Sequence, residues 1–456
     1  MSGYGSLGVF VLAVDAAIVC ASYYLGFLFR FGSRIPTINL QSFTESIPYI
    51  ALFALLLFWF FQLHLSTRKH TFETLYNIGL SVAFLNFGTM AITYINRQFA
   101  FPRSVFIVSS VIQFVFLAVW HVSLAALAQS RQKVKDTVII STKGDGWHLA
   151  NRLTAYSGKK YRVVRACSAS TASNAISSID TAQAVFMDHS VPPAIKDEVI
   201  AHCLTMDKQA VIVPSVYDIV LRKSRVSTID DLPVFEIENL PLTPSQQVTK
   251  RICDIALSAV LLLITMPLFL IVSIAIKISS PGSVFYRQKR MGLGNQSFDV
   301  IKFRTMIDGA ESGTGPVLAS QHDPRVTRVG RLLRPTRLDE LPQLLNILKG
   351  DMSFVGPRPE RPYFVDQFSS IIPGYAYRSK VRPGLTGLAQ VSGKYTTDPE
   401  AKLRFDLYYI RNYSFILDVQ LILQTIRVVL TPISARGTAD ATQVAAGHAS
   451  SRDSLV

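Results

Sequence analysis

The residues best equipped for chemistry lie between Arg334 and Pro359, in the run R-P-T-R-L-D-E-L-P-Q-L-L-N-I-L-K-G-D-M-S-F-V-G-P-R-P. Two adjacent carboxylates, Asp339 and Glu340, open an apolar segment (Leu341, Leu344, Leu345, Ile347, Leu348) whose spacing predicts a short helix ending at Gly350. With Asp339 as its N-cap, Pro342 falls in the first turn, where the amide hydrogen that proline lacks would have no partner. The positive end of the helix dipole then favours an anion and keeps a carboxylate ionised. Arg334 and Arg337 precede the pair, and Arg358 follows in Pro357-Arg358-Pro359, a rigid turn that fixes the direction of its guanidinium. Carboxylates among arginines fit phosphate chemistry. A surface salt-bridge cluster capping a helix is the other reading of the same residues.

The chain that must position these groups has 456 residues, of which 49% are hydrophobic and only 17% charged. With a mean hydropathy of +0.30, this is the composition of a membrane protein. The net charge of +15 is not matched by a basic recognition helix or an aromatic RNA-binding motif, so nucleic acid is not an expected partner. Inner-leaflet lipids and anionic phosphate substrates account for it better. Four scattered cysteines without C-x-x-C spacing, and eight histidines without a paired arrangement, imply neither disulfides nor a zinc site.

Four apolar runs come first, about Leu7 to Phe29, Ile47 to Leu65, Leu75 to Ile95 and Val105 to Leu127. Each is near the ~20 residues a helix needs to cross a bilayer core. No basic n-region or cleavage site precedes the first, which is expected to be retained. Arg131, Lys133 and Lys135 place the segment after the fourth helix in the cytoplasm, and Arg68 and Lys69 agree, whereas Arg30, Arg34, Arg97 and Arg103 oppose this orientation. Asp15 must face protein or water, in a functional or a packing role, and has no evident partner in the sequence.

Asp136 to Pro244 reads as a soluble α/β module, with strands at Thr137 to Ile140, Ala184 to Met187 and Ala210 to Val213 and a helix near Trp147 to Tyr156. In Ser141-Thr142-Lys143-Gly144-Asp145-Gly146 only the last glycine stands where a dinucleotide-binding loop needs one. A regulatory or oligomerisation role is therefore expected for this module rather than a cofactor site.

The following apolar segment, Ile252 to Ile278, is long enough to cross a membrane, but Pro267 breaks it and both flanks are basic. A helix that enters, bends at Pro267 and returns satisfies both observations. Lys302 and Arg304 alternate with Phe303 on a short strand, which points both toward one face, either solvated or offering countercharge to a diphosphate. Gly309 to Gly315 reads as a mobile loop. Phe415 to Leu430 alternates Asp418, Gln420, Gln424 and Arg427 with apolar residues, as an interfacial or a buried core helix would.

From Lys250 to Leu430 the chain resembles the bacterial sugar transferase family, the monotopic phosphoglycosyl transferases. The resemblance rests on K-R-I-C-D-I at Lys250, S-P-G-S-V-F-Y-R-Q-K-R-M-G at Ser280, F-D-V-I-K-F-R-T-M at Phe298, the run through Asp339 to Pro359, and V-R-P-G-L-T-G-L-A-Q-V-S-G at Val381. It implies a membrane α plus α/β fold. The parts are a four-helix transmembrane bundle at 1–130, a Rossmann-like module at 131–246, a catalytic domain at 247–432 with a re-entrant helix at 252–278 and interfacial helices, and a disordered tail at 433–456.

It implies transfer of a sugar 1-phosphate from a UDP-sugar to undecaprenyl phosphate, with release of UMP, at the cytoplasmic face of a bacterial inner membrane. The large members of the family commonly use UDP-glucose or UDP-galactose, so a hexose is expected, with an N-acetylated sugar as runner-up, in exopolysaccharide, capsule, O-antigen or related glycan synthesis. By resemblance Asp339 is the nucleophile that forms a covalent phosphosugar intermediate, and Glu340 binds Mg²⁺ with it or positions the attacking group. Lys302, Arg304, Arg334 and Arg358 are phosphate-clamp candidates, with Arg337 near the surface, and Gln390 and Lys394 shape the sugar or nucleotide pocket. A homodimer is compatible with the added module. Two other readings are a conventional glycosyltransferase acting on a lipid-linked sugar, with the acid pair as metal site or base, and a non-enzymatic membrane scaffold.

Overall fold

In a computed structural model, the chain is described over residues 6–430 except 65–70, 97–100, 132–133, 143–145, 158–159, 169–175, 178, 223, 238–241, 311–322 and 394–396. The loop expected at Gly309 to Gly315 lies mostly outside the described residues, as do Lys394 and the tail beyond Leu430. The chain divides into two compact units, Met1–Ile212 and Val213–Val456.

The first unit opens with α1 (Ser6–Phe31), α2 (Thr37–Phe60), α3 (Thr71–Ile95) and α4 (Arg103–Arg131), each long and apolar enough to cross a membrane. Consecutive helices neighbour each other and α1 also lies beside α4. Their core is aromatic, with Tyr23, Phe27, Phe43, Phe58, Phe61, Phe101 and Phe106. The second helix begins at Thr37 rather than Ile47. Its first turns are rich in polar residues that hide it from hydropathy, yet buried Ser42 and Ser46 satisfy their hydroxyls on the carbonyls of Ile38 (3.0 Å) and Ser42 (2.8 Å). Asp15 does have a partner: its Oδ1 lies 3.1 Å from His121 Nε2 on α4, both side chains fully buried.

The α/β module carries a parallel sheet of order β2-β1-β3-β4, from β1 (Lys135–Ser141), β2 (Tyr161–Ser168), β3 (Ala184–Met187) and β4 (Gln209–Ile212), with α5 (Gly146–Ser157) and α6 (Pro193–Thr205) among the connections. Alternation along β1 sends Val138 and Ile140 into one core and Ile139 into the other, the two-faced burial expected of a parallel sheet.

The second unit runs from Val213. Residues after Ile212, including α7 (Val216–Leu221) and the hairpin of β5 (Arg225–Ile229) and β6 (Leu232–Glu236), belong to it, and Ile219 is buried in its main core. The long α8 (Pro244–Ser279) starts with a capping box, Thr243 and Gln246 bonding each other's backbone amides, and runs through Pro267 as one helix. Thr265 Oγ1 donates to the Leu261 carbonyl at 2.6 Å just before the proline.

Both ends of α8 are fastened to this same unit. Near its start Lys250 pairs with Asp418 at 2.5 Å, Arg251 donates to the carbonyls of Ile347 (2.6 Å) and Leu348 (2.7 Å), and Asp254 accepts from the Phe354 amide at 3.0 Å. Near its end Val272 and Ile276 bury against Phe303 and Leu333. Between them Val260, Leu263, Ile264, Met266, Leu270 and Ile271 are exposed.

The rest of the unit comprises the antiparallel pair β7 (Phe285–Met291) and β8 (Ser297–Phe303), α9 (Arg328–Leu333), α10 (Gln343–Lys349), β9 (Ser353–Val355), α11 (Pro362–Ile371), β10 (Gly384–Thr386), α12 (Leu388–Ser392), α13 (Pro399–Arg411) and α14 (Phe415–Leu430). The last helix has the predicted bounds, with its polar side turned inward. Asp418 is buried and Thr425 bonds Thr386 at 2.6 Å, while Phe415, Ile416, Val419 and Ile426 are exposed.

Candidate active site

The acid pair lies in a 3-10 turn, Leu338–Glu340, that precedes α10 rather than starting it. Pro342, not Asp339, occupies the N-cap position, and no side chain caps the helix. The reason lies one residue before the turn: Arg337 adopts a left-handed backbone (φ 54), which redirects the chain and closes the turn through Glu340 N to Arg337 O at 3.1 Å. A bulky residue in that region costs energy and occurs where surrounding structure holds it, often at functional sites. The other end of α10 is as predicted, with Gly350 at φ 102.

Strand β8 and the turn after β9 each bring one cation to Glu340. At the end of β8, Lys302 Nζ donates to Glu340 Oε1 at 2.9 Å. From the turn after β9, Arg358 Nη2 reaches the same oxygen at 3.1 Å. Arg337 lies 3.6 Å from Oε2, outside hydrogen-bond range, with its side chain 46% exposed. Burial alone would raise the buried Glu340 carboxyl, but Arg358, Lys302 and Arg337 outweigh it and hold it well below the usual carboxylate range.

Asp339 goes the other way. Burial and the adjacent Glu340 charge push its carboxyl up to about 6, against the pull of Lys302 and Arg334. The two acids of the pair therefore shift in opposite directions. The two side chains differ because the cations bond Glu340 and only approach Asp339.

The turn carrying Arg358 is held by close backbone packing. β9 and β10 run parallel, Gly356 N donates to Thr386 O (2.9 Å), and Gly384 N donates to Pro357 O (2.9 Å). A Cβ on Gly384 would stand 2.1 Å from the Gly356 nitrogen, so only glycine permits this approach. Pro359 O accepts from Arg290 at 3.1 Å, and Arg358 O accepts from Arg378 at 2.9 Å.

Other predicted residues are placed differently. Arg304 follows β8 and does not share the Lys302 contacts; it is buried and donates to the Ser280 carbonyl and hydroxyl and to the Pro281 carbonyl at 2.8–2.9 Å, bracing the chain where it leaves α8. Arg334 Nε donates to Thr305 Oγ1 at 3.0 Å. Gln390, on α12, donates to Leu385 O at 3.1 Å and leaves its buried Oε1 without a partner.

Sequence reasoning missed the buried polar residues that set this frame: Lys250 and Asp418, with Tyr409 OH donating to Asp418 at 2.7 Å, and Arg378 with Asp406 at 2.8 Å. A usable signal was present in α8. Lys250, Asp254 and Ser258 recur every four residues on an otherwise apolar helix, and all three are buried.

The bacterial sugar transferase family model matches residues 245–432, which hold every contact just described around the acid pair. A UDP-glucose:undecaprenyl-phosphate glucose-1-phosphate transferase of Caulobacter vibrioides is 45% identical over 191 residues, 41% of this chain and 71% of the relative. The chain belongs to the bacterial sugar transferase family. Longer family members match over the same region. A UDP-N-acetylgalactosamine-undecaprenyl-phosphate N-acetylgalactosaminephosphotransferase of Aeromonas hydrophila is 44% identical over 211 residues, and a UDP-glucose:undecaprenyl-phosphate glucose-1-phosphate transferase of Escherichia coli K12 is 40% identical over 220. The match spans about half of each of these two relatives, 50% and 47%.

Proposed function

We propose that this membrane protein transfers a hexose 1-phosphate from a UDP-hexose to undecaprenyl phosphate in two displacements, as an early membrane step of exopolysaccharide or related surface-glycan synthesis. The observation that carries the reading is the division of labour in the acid pair: Glu340 is fixed and ionised by Lys302 and Arg358, while Asp339 makes none of these bonds. An oxygen outside such ion pairs keeps its lone pairs available to attack phosphorus, whereas a carboxylate held by two cations fixes charge in place.

In the first step an Asp339 carboxylate oxygen bonds to the sugar-side phosphorus, the bridging P–O bond breaks, and UMP leaves. In the second, an oxygen of undecaprenyl phosphate bonds to that phosphorus and the Asp339–phosphorus bond breaks, restoring the carboxylate. Lys302, Arg334 and Arg358 offset the charge of the diphosphate, the arginines through planar N–H pairs suited to phosphate oxygens. The donor set also fits Mg²⁺, which binds through one or two carboxylates plus substrate phosphates. Glu340 Oε2, with Arg337 at 3.6 Å, and an Asp339 oxygen would hold it, and the ion would polarise the phosphoryl group.

The geometry of α8 supports a re-entrant helix at the inner leaflet. A helix crossing the bilayer would separate its ends by the membrane's ~30 Å core, yet both ends are fastened to one polar unit and the exposed apolar residues lie between them. The outward side of α14 is apolar too, as an interfacial helix requires.

The relatives' names divide between glucose and N-acetylgalactosamine, so a UDP-N-acetylhexosamine is the competing donor. Product analysis tests the reaction class. UMP release on addition of undecaprenyl phosphate supports phosphosugar transfer, and UDP release supports a conventional glycosyltransferase instead.

A further inference from the structure

Leu268, Phe269, Val272 and Ile276 recur at helical spacing on the half of α8 that follows Pro267, and they pack into a cluster separate from the main core of the unit. Facing them in that cluster are Phe303, Leu333, Leu338 and Leu341. Each of these four is the sequence neighbour of a residue at the acid site: Phe303 follows Lys302, Leu333 precedes Arg334, Leu338 precedes Asp339 and Leu341 follows Glu340. Along β8 successive side chains point to opposite faces, so Lys302 reaches Glu340 from one face while Phe303 enters the cluster from the other. Both partners of the Lys302–Glu340 bond are thus carried on one apolar floor.

Phe303 joins helix to strand. It is 1% exposed, and its ring meets Phe269 of α8 at 5.1 Å between centroids and Phe285 of β7 at 5.6 Å. Both separations fall within the roughly 4.5–7 Å of favourable aromatic pairs. Phe285 is also its cross-strand partner, so the ring is held from the sheet as well as from the helix. A close-packed side chain moves only when its neighbours move. Loss of the Phe269 ring opens space into which Phe303 can turn, and the end of β8 that carries Lys302 follows it. One position along the same helix, Leu270 lies outside the cluster and is exposed.

We propose that Phe269 is a positioning residue for the transfer: through Phe303 it holds Lys302 where its ammonium fixes Glu340, so the apolar helix belongs to the frame of the acid pair. The inference rests on the phosphosugar-transfer reading above. Phe269 touches none of the reacting groups, and its effect therefore falls on the rate of the chemical step. Misplacing a charge-stabilising group by about 1 Å costs on the order of 10²-fold in rate.

The test uses the full-length protein in lipid nanodiscs with UDP-hexose and Mg²⁺, following single-turnover formation of the hexose-phosphate adduct by intact mass over a range of donor concentrations. Phe269→Ala is expected to slow adduct formation about tenfold or more, while the final labelled fraction and the donor concentration at half-maximal rate stay within about twofold. Loss of folded protein would instead lower the labelled fraction and leave the rate of the remainder unchanged. Phe269→Leu, a smaller loss of packing, is expected to slow the step about threefold and decides the matter where the alanine variant does not fold. Leu270→Ala, an apolar loss on the exposed side, is expected to stay within about twofold of the unmodified rate. In a Lys302→Met background the further slowing by Phe269→Ala is expected to be less than about threefold, because the cation it steadies is gone.

A rate unchanged in both Phe269 variants, equal slowing in Leu270→Ala, or an undiminished loss in the Lys302→Met background overturns the inference. If the unmodified chain forms the adduct in these cases, the transfer reading stands and only the role of Phe269 has failed. If it forms no adduct but releases UMP with undecaprenyl phosphate, the same comparisons are read on UMP release. Neither adduct nor UMP release from the unmodified chain would overturn the transfer reading and this inference with it.

Discussion

Lys302 donates to the same Glu340 oxygen that Arg358 reaches, at 2.9 and 3.1 Å, so one carboxylate of the acid pair is locked by cations supplied from β8 and from the turn after β9. Asp339, its neighbour in sequence, shares the field of these cations without their bonds, and burial leaves its carboxyl raised to about 6.

A pH dependence follows. In the proposed reaction the attacking group is the Asp339 carboxylate, so, with no ion bound to that carboxylate, adduct formation is expected to fall about tenfold per pH unit below about 6 and to level off above it. Single-turnover rates across pH 4.5 to 8, taken as approximate bounds, check this. A limb at the ordinary carboxylate value near ~4 would contradict the environment described here.

The same shift has a stability sign. An acid whose folded pKa is raised holds its proton more tightly when folded, so folding is favoured at low pH and that contribution is lost as pH rises through about 6. Near neutral pH, Asp339→Asn is expected to raise the melting temperature, by an amount worth on the order of 1 kcal/mol given its partial exposure. Thermal unfolding in detergent at two pH values reads it; the gain should vanish at the lower pH.

Removing Lys302 deprives Glu340 of a bonded cation and Asp339 of an attractive charge. Lys302→Met is therefore expected to slow adduct formation by about 10²–10³ and to move the acid limb upward. Arg358→Lys keeps the charge but loses the planar N–H pair, and is expected to restore only part of the rate lost in Arg358→Ala.

The Lys250–Asp418 pair ties the start of α8 to α14 in a buried setting. Lys250→Met leaves the buried Asp418 without its cation, at an expected cost of about 3–5 kcal/mol, whereas Lys250→Met with Asp418→Leu should recover most of it. Chemical unfolding of the two variants separates a buried ion pair from a passive surface contact.

A re-entrant α8 places both of its ends on one side of the membrane. Single cysteines at the exposed positions Ser245 and Ser283, in a background lacking the four native cysteines, should react with a membrane-impermeant maleimide from the same side. Reaction from opposite sides would show a simple crossing.

Much of this was legible in the sequence, because it is local. The four membrane helices, the alternating strand Val138 to Ile140 and the Gly350 stop each follow from periodicity or from one residue's backbone freedom. The start of α2 was hidden because its serines satisfy themselves within the helix, which hydropathy does not register. The Asp339 cap failed for a different reason: a left-handed Arg337 inserts a 3-10 turn before the helix, and no neighbouring residue announces that conformation. Arg304 looked equivalent to Lys302 by alternation, but the strand stops at Phe303, and one residue farther the guanidinium turns to the carbonyls after α8. The partners of Asp15, Lys250 and Arg378 are all distant in sequence, and spacing along one helix cannot name them.

In the proposed reaction Asp339 carries the phosphosugar. Purified full-length protein incubated with UDP-hexoses and Mg²⁺, without lipid acceptor, should gain by intact mass one hexose phosphate that is absent in Asp339→Asn. No adduct with any donor, while the complete reaction with undecaprenyl phosphate still releases UMP, would contradict it and leave Asp339 as a base or metal ligand in a direct displacement.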